Sequence, residues 1–297
     1  MISADMRSTF STLISVNGEY ARMISDAGKA NAFAVSMMIQ PIKLIEVSMN
    51  YHELPANFIS PFGGTFGIHS NVPQNENGFY IGSKFNIIPS IFTISASGNF
   101  SSSASEPFAY KSSSNEVKYS DIRLRSTYAL QFIPVRLSVE LRSNCTGKVF
   151  SISNDSLSKN SLRLDAVATF SETLSASFLS EIQQYFSDAT MTIKNGYLYS
   201  AKFTYTPLPD IYVSTGLSFS NTDTYSSRFY SNENNLRGAA SYEPLYGTAY
   251  RYNIMCSYDP SDVVELSVKI AESRSVKSSS IAIVDKTTIG AQVDIVF

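Results

Sequence analysis

Apolar and polar residues alternate along most of this chain. Between Ile45 and His52 every second residue is apolar, and the same pattern returns over residues 135–142, 250–258 and 264–271. A period of two is typical of a β-strand that has one apolar and one polar face. Each alternating segment has about 9 to 11 residues, the length that a tilted strand needs to cross a bilayer. The pattern therefore predicts an all-β chain of antiparallel strands.

Short turns and long polar loops alternate between these segments. Most of the short turns contain proline at a position compatible with a tight turn, and they are expected at residues 40–43, 87–90, 132–135, 171–174, 207–210 and 259–262. The long loops are rich in Ser, Asn, Gly and Asp, and they are expected at residues 53–77, 101–119, 143–160, 187–195, 220–245 and 272–286. Short periplasmic turns and long extracellular loops are typical of transmembrane β-barrels of the bacterial outer membrane.

This rhythm predicts one transmembrane β-barrel domain over residues 1–297, with about 14 strands and a range of about 12 to 16. An even number of strands places both termini on the side of the short turns. Residues 1–13 are then an N-terminal segment, interpreted as the remnant of a longer protein. Residues 225–235 are expected inside the loop that follows residue 219, as a raised hairpin.

Composition favours the membrane over water. Charged residues make up only 16% of the chain, against roughly 25% in soluble domains. No run approaches the roughly 20 consecutive apolar residues of a membrane helix, which excludes helical membrane proteins. A soluble β-sandwich also alternates, but its outer face would be charged, whereas the polar faces here hold mainly Ser, Thr and Asn. The net charge of −2 predicts no strong nucleic-acid binding.

Charged residues concentrate on the face that would line the lumen. The candidate constriction lies on neighbouring strands and consists of Arg123, Arg125, Arg136, Glu140, Arg142, Arg163 and Asp165. Two interpretations stay open: a cross-strand salt-bridge ladder that stiffens the wall, or a cation-rich constriction that favours anions. The whole predicted lumen holds eight cations, which are these five arginines with Lys202, Arg251 and Lys269, against the five carboxylates of Glu46, Glu140, Asp165, Glu265 and Asp294.

Evidence for catalysis or metal binding is thin. His52 shares the predicted lumenal face with Ser48, but residues on one strand face are spaced by about 7 Å per step, so the two are too distant to form a nucleophile–base pair. A solvated lumen histidine is expected, and no enzymatic activity. The loop 232–235 (NENN) lacks the ligand spacing of an EF-hand, so a solvated surface loop is favoured over a calcium site. No metal or cofactor is expected.

Four stretches carry a resemblance to outer-membrane proteins. IGAQVDIVF (289–297) ends on the aromatic Phe297 and resembles the C-terminal strand signal that the outer-membrane insertion machinery recognises. QNENGFYIG (74–82), SSRFYSNENNL (226–236) and PLYGTAYRYNIM (244–255) resemble the barrel region of a family of large Gram-negative outer-membrane proteins with N-terminal helix-hairpin-helix modules. The resemblance implies contact with outer-membrane lipid. A DNA-related role would come with the helix-hairpin-helix module, which these residues do not contain.

Two functions follow as expectations. The first is a passive channel or transport pore for small polar solutes with a modest anion preference, because a polar face lined with arginines suits a wet lumen. The alternative is a non-conducting membrane anchor or surface-binding barrel of a larger helix-hairpin-helix protein, whose outer loops hold a partner protein, polysaccharide or DNA.

Deletion of Phe297 is expected to slow membrane assembly in cells without lowering the stability of a barrel refolded in detergent. The terminal aromatic residue would be read during insertion, whereas the finished sheet does not depend on it. Pulse-labelling followed by protease accessibility measures the assembly rate, and denaturant unfolding in detergent measures stability. Assembly at the parental rate would remove Phe297 as an insertion signal.

Overall fold

A computed structural model of the chain describes residues 2–11, 13–25, 28–55, 76–103, 117–147, 157–187, 192–231, 233–236, 244–261, 263–276 and 283–295. Its strands are β1 (Ile2–Ser11), β2 (Ile14–Ser25), β3 (Gly28–Ile42), β4 (Ile45–Leu54), β5 (Glu76–Ile88), β6 (Phe92–Ser103), β7 (Val117–Ala129), β8 (Val135–Gly147), β9 (Leu157–Thr169), β10 (Leu174–Ser187), β11 (Thr192–Leu208), β12 (Ile211–Thr222), β13 (Phe229–Tyr230), β14 (Pro244–Leu245), β15 (Thr248–Ser261), β16 (Val264–Val276) and β17 (Ile283–Ile295). Among these residues no helix is long and apolar enough to cross a membrane.

Fifteen of these strands form one sheet in chain order, from β1 to β12 and then β15, β16 and β17. The prediction of an all-β, antiparallel chain is confirmed. The count exceeds the predicted 14 by β1, which pairs with β2 from Ile2↔Arg22 to Ser11↔Ile14. Residues 1–13 were expected to lie in front of the first strand, yet Ile2, Met6 and Phe10 already show the alternation of a strand.

The short turns lie close to their predicted positions. Each predicted turn overlaps the junction of two consecutive strands, which end and begin at residues 42 and 45, 88 and 92, 129 and 135, 169 and 174, 208 and 211, and 261 and 264. Pro41 still belongs to β3, so the first turn begins later than predicted. Ser90 has a φ of 63°, a conformation that tight turns often require.

The strands extend further into the predicted loops than expected. β16 reaches Val276 and β17 begins at Ile283, so strand residues occupy much of the predicted loop over 272–286. The fifteen strands of the large sheet have 10 to 17 residues, compared with the expected length of about 9 to 11. Phe297 and most of the remaining loop residues lie outside the described part of the chain.

The chain divides into two compact units. The first comprises residues 1–126, 141–159 and 186–192, and the second comprises residues 127–140, 160–185 and 193–297. In the second unit β15 sorts its residues by face as predicted: Tyr250 and Ile254 are both 52% exposed, whereas Arg251 and Asn253 are 4% and 2% exposed. This sorting arises because successive side chains of a strand point to opposite faces.

The first unit shows the same sorting on β7. Ile122 and Leu124 are exposed, whereas Asp121 is buried on the opposite face. Soluble monomers rarely expose apolar patches of more than a few hundred Å². Rows of exposed Ile, Leu, Val and Tyr side chains are typical of the surface by which a transmembrane β-barrel contacts lipid.

Arginine placed on the exposed apolar face is expected to destabilise the fold in lipid. Val139→Arg and Leu266→Arg should each cost about 2–4 kcal/mol, because a charge at the depth of the hydrocarbon loses its hydration. Val139→Leu and Leu266→Met are the matched controls, since they keep the face apolar. Denaturant unfolding in vesicles, followed by far-UV circular dichroism, gives the free energies. Equal unfolding midpoints for arginine and control variants would mean that these faces do not meet lipid.

Candidate functional site: a loop seated on the polar face

The loop between β12 and β15 belongs to the second unit and folds back against the strands of that unit. Its first turn is a 3₁₀ turn over Tyr225–Ser227, and β13 then pairs with β14 through Phe229↔Leu245 and Tyr230↔Pro244. Residues 225–235 were expected to form a raised hairpin, but the observed pairing joins Phe229–Tyr230 to Pro244–Leu245. The pair is not raised, because Phe229 and Leu245 are buried against residues of the strands.

Apolar contacts fix the base of this loop. Phe229 and Leu245 are buried in one cluster with Leu179, Leu198 and Ala249. Leu179, Leu198 and Ala249 lie on β10, β11 and β15, and polar residues lie next to them on the same face of these strands. Burying a phenylalanine side chain stabilises a fold by about 1.5–3 kcal/mol. A small apolar patch on a polar face thus forms a seat for the apolar residues of the loop.

Charge holds the tip of the loop. Arg251 donates hydrogen bonds from Nε to Oε2 of Glu233 and from Nη2 to Oε1, both at 2.8 Å. Nζ of Lys269 lies 3.1 Å from Oε1 of the same carboxylate. All three side chains are less than one-tenth exposed. Because a buried charge is costly unless it is paired, this cluster ties the position of the tip to β15 and β16.

Amide groups extend these contacts to other strands. Lys202 on β11 donates from Nζ to Oδ1 of Asn234 at 3.4 Å, and Lys269 donates to Oδ1 of Asn235. Asn234 donates from Nδ2 to the hydroxyl of Tyr212 on β12. The tip of the loop is therefore bonded to four strands of the second unit.

The electrostatics of Glu233 follow from two opposing effects. Burial would raise the pKa of its carboxyl group, but the hydrogen bonds from Arg251 and Lys269 outweigh burial and hold the pKa of Glu233 below its ordinary value. The carboxylate is consequently ionised at neutral pH, and the loop carries one fixed negative charge into the polar face.

Small residues make room for the loop. The polar face of β12 carries Ser214, Gly216, Ser218 and Ser220 in succession, all buried. A Cβ atom added to Gly290 on β17 would lie 2.7 Å from Cδ1 of Leu236. A side chain at Gly290 would therefore overlap the loop, whereas one at Gly216 on β12 would meet Asn253 of β15.

Several buried polar atoms at this contact have no hydrogen-bond partner among the described residues. They are Oε1 of Gln183, Oγ of Ser214, Ser220 and Ser231, Nδ2 of Asn235 and Oδ1 of Asn253. Buried polar groups of proteins are ordinarily satisfied by protein, water or ligand. The tip of the loop therefore lies in surroundings suited to water and polar solutes, unlike its apolar base.

The expectation of a solvated surface loop at residues 232–235 is wrong. Glu233 is 7% exposed, because its two buried cationic partners on the sheet satisfy the carboxylate. In the described part of the chain no group of three or more His, Cys, Asp or Glu residues is placed to hold a metal ion. The stretches 226–236 and 244–255, singled out above for their resemblance, contribute the loop and the strand that receives it.

The first unit contains part of the predicted arginine set. Arg142 donates from Nε to Oδ1 of Asp121 at 2.8 Å and from Nη2 to Oδ2 at 2.9 Å, and Arg123 donates to Oδ2 of the same carboxylate. Next to them Asn144 donates to the hydroxyl of Tyr119 at 2.6 Å. Sequence reasoning missed Asp121, although its alternation with Arg123 and Arg125 on β7 was sufficient to place it on this face.

The second unit contains Arg136, Glu140, Arg163 and Asp165. Arg163 pairs with Asp165 two residues along the same strand, at 3.1 Å, so this contact is not a rung of a cross-strand ladder. Arg136 is exposed and has no ion pair among the described residues. Each unit thus contains paired arginines, and the role of the whole set as a constriction stays a prediction.

The charge of the polar face changes with these findings. Asp121 and Glu233 are two carboxylates of this face that the prediction left out, and Glu76 beside His52 is a third.

His52 is not the solvated histidine that was expected. It is 4% exposed, and its Nε2 lies 3.0 Å from Oε1 of Glu76, which is also buried. A Cβ atom on Gly78 would overlap the imidazole, so this glycine provides the space in which the ring lies. The contact joins the end of β4 to the start of β5 in the first unit.

Comparison with solved structures identifies the fold. The chain is similar to a loop-deletion mutant of OmpT, an outer-membrane protein of Vibrio cholerae, with a TM-score of 0.52 and 10% identity over 97% of this chain and 88% of that one. It is similar to the outer-membrane channel DcaP of Acinetobacter baumannii, with a TM-score of 0.52 and 10% identity over 99% and 84%. The ferric citrate transporter FecA gives 0.56 and 12% identity over 97% of this chain and 51% of its own.

These likenesses show that the chain has the fold of the bacterial outer-membrane β-barrels. The predicted fold class is confirmed. Comparisons with protein-family models and with curated proteins find no match.

Acid is expected to release the tip of the loop. Because the pKa of Glu233 is lowered in the folded state, its pairing stabilises the seated loop fully above the ordinary glutamate pKa and is lost as the pH falls through the lowered value. Hydrogen exchange of residues 229–236 measures the release. Comparison with Glu233→Gln at each pH cancels the chemical rate. The parent should exchange more slowly than the variant at pH 6, and the two rates should converge only as the pH falls through the lowered pKa of Glu233. A constant ratio would contradict the role of Glu233.

Proposed function

We propose that this chain is a passive channel of the bacterial outer membrane for small polar solutes, in which the loop over residues 223–236 narrows the path. The observation that carries the proposal is the ion-paired seat of this loop on the polar face. A loop held there by Glu233, Arg251 and Lys269 places charged and amide groups where a solute would pass. The exposed apolar faces would meet outer-membrane lipid, and Phe297 would engage the insertion machinery.

The chemistry of the polar face supports solutes that keep part of their water. Serine, asparagine and glycine dominate β12 and β15 around the tip, and several of their polar atoms are free to bond to water. Small hydroxyl and amide side chains bind transiently and leave room, so they suit passage better than tight retention. Nothing in this arrangement requires a nucleophile or a metal, and the proposed function includes no enzymatic step.

A modest anion preference is part of the proposal. The candidate constriction carries five arginines against the carboxylates of Asp121, Glu140 and Asp165, and the guanidinium group of Arg136, one of the five, is exposed. Salt screens such charges over about 8 Å at physiological ionic strength, so the preference should be strongest in dilute salt.

The alternative function is a membrane anchor without conductance, belonging to a larger protein with helix-hairpin-helix modules. The same loop favours this alternative, because a loop that covers the faces of several strands in one unit could close the path. The outer loops would then hold a partner protein, a polysaccharide or DNA.

Planar-bilayer recording of the refolded chain separates the two functions. The parent should give discrete open-channel steps, and Glu233→Gln combined with Asn234→Ala should give larger steps. The tip of the loop then loses its ion pairs with β15 and β16 and its bonds to β11 and β12, and keeps the bond from Lys269 to Asn235. Tyr225→Phe is the control, since it keeps the ring that packs at the base of the loop. A silent bilayer with an intact β signal for all variants would favour the anchor.

Reversal potentials under a KCl gradient test the selectivity. The parent should have the sign for chloride, and Arg125→Ser with Arg136→Ser should shift the potential towards neutrality. Lys43→Ser, in a predicted turn outside the lumen, is the control for loss of charge. Cation selectivity of the parent would leave the arginines with a role in stiffening the wall.

A further inference from the structure

The two cations that hold the tip of the loop have the chemistry of an anion-binding site. Arg251 and Lys269 are buried cations on adjacent strands, and both contact the carboxylate of Glu233. Lysine and arginine are almost never fully buried unless they are paired. The two strands therefore present their cations to the same anionic group, and this group belongs to the loop.

The geometry around this carboxylate matches oxyanion recognition. Nε and Nη2 of Arg251 bind one oxygen each at 2.8 Å, which is the two-pronged arrangement that arginine makes with carboxylate and phosphate groups. Lys269 supplies a third donor at 3.1 Å from Oε1. Three charged donors thus converge on the position of one oxyanion.

Lys269 is bonded to the loop tip by a second contact as well. It donates to Oδ1 of Asn235, while the buried Nδ2 of the same amide has no partner among the described residues. Because Asn235 and Glu233 lie on the same tip, displacement of the tip frees Lys269 from both groups. A carboxylate offers two oxygens, whereas a tetrahedral oxyanion offers more and can take the place of both acceptors.

We propose that Arg251 and Lys269 form a binding site for a small tetrahedral oxyanion such as inorganic phosphate, for which Glu233 is an internal competitor. Solutes would reach this site through the proposed channel, so the proposal rests on that function for access. Binding itself requires no conductance. Exchange of one anion for the other keeps both cations paired, and the displaced carboxylate regains its hydration. The apolar base at Phe229 and Leu245 stays in place, so displacement moves the tip alone.

Calorimetric titration of the refolded barrel in detergent with sodium phosphate tests the site, with sodium chloride at equal ionic strength as the reference. Glu233→Gln should bind phosphate with a Kd about tenfold lower than the parent, because hydrogen bonds to a charged group are each worth about that factor. Glu233→Gln with Arg251→Gln and Lys269→Gln is the matched control and should bind no phosphate. Absence of binding to a folded Glu233→Gln variant, or equal binding by the triple variant, would overturn the proposal.

Hydrogen exchange of the unmodified chain gives a second measurement that needs no variant to fold. Phosphate should raise exchange over residues 231–236 relative to chloride, while residues 244–249 stay unchanged. Equal exchange in both salts would overturn displacement of Glu233. A barrel that binds phosphate in detergent but stays silent in the bilayer would refute the channel and leave the site standing.

Discussion

Each strand of this chain has one face suited to lipid and one suited to polar surroundings. A single strand provides both faces when apolar and polar residues alternate with a period of two. Its backbone groups are bonded to neighbouring strands, so only the side chains distinguish one face from the other. Tyr250, Tyr252 and Ile254 face outward on β15, whereas Arg251 and Asn253 between them are buried. A shift of one residue in register would exchange these sets, which is why the alternation fixes the register so strongly.

The loop on the polar face depends on this sorting. Because alternate positions of β12 and β15 point to one side, serines and glycines can accumulate there without disturbing the apolar side. The loop is buried against this side at Phe229 and Glu233, and the carboxylate of Glu233 meets the cations of the sheet. An apolar base and an ion-paired tip then perform different tasks, since the base fixes the loop and the tip sets its charge.

The alternation, the turns and the strand order could be predicted from the sequence because each is a local property. β1 was missed because Ala4 and Ser8 stand between Ile2, Met6 and Phe10 on its apolar face and weaken the alternation. Asp121 was missed in the sum of charges although its position relative to Arg123 fixes its face. The pairing of Arg163 with Asp165 within one strand, in contrast, depends on side-chain conformations that periodicity does not specify.

The seated loop could not be read from its own composition, because Ser, Asn and Glu are equally suited to water and to a polar wall. The signal lay on the opposite side of the contact. Positions 214, 216, 218 and 220 on one face of β12 all carry small residues. Such a face leaves more room than a water-filled lumen requires, and this room suits a loop. Arg251 and Lys269 on the two strands that follow then require an anion, and a buried cation pair in a wall of small residues predicts that a carboxylate arrives from elsewhere in the chain. Glu233, in the preceding polar loop, is the group that meets this requirement.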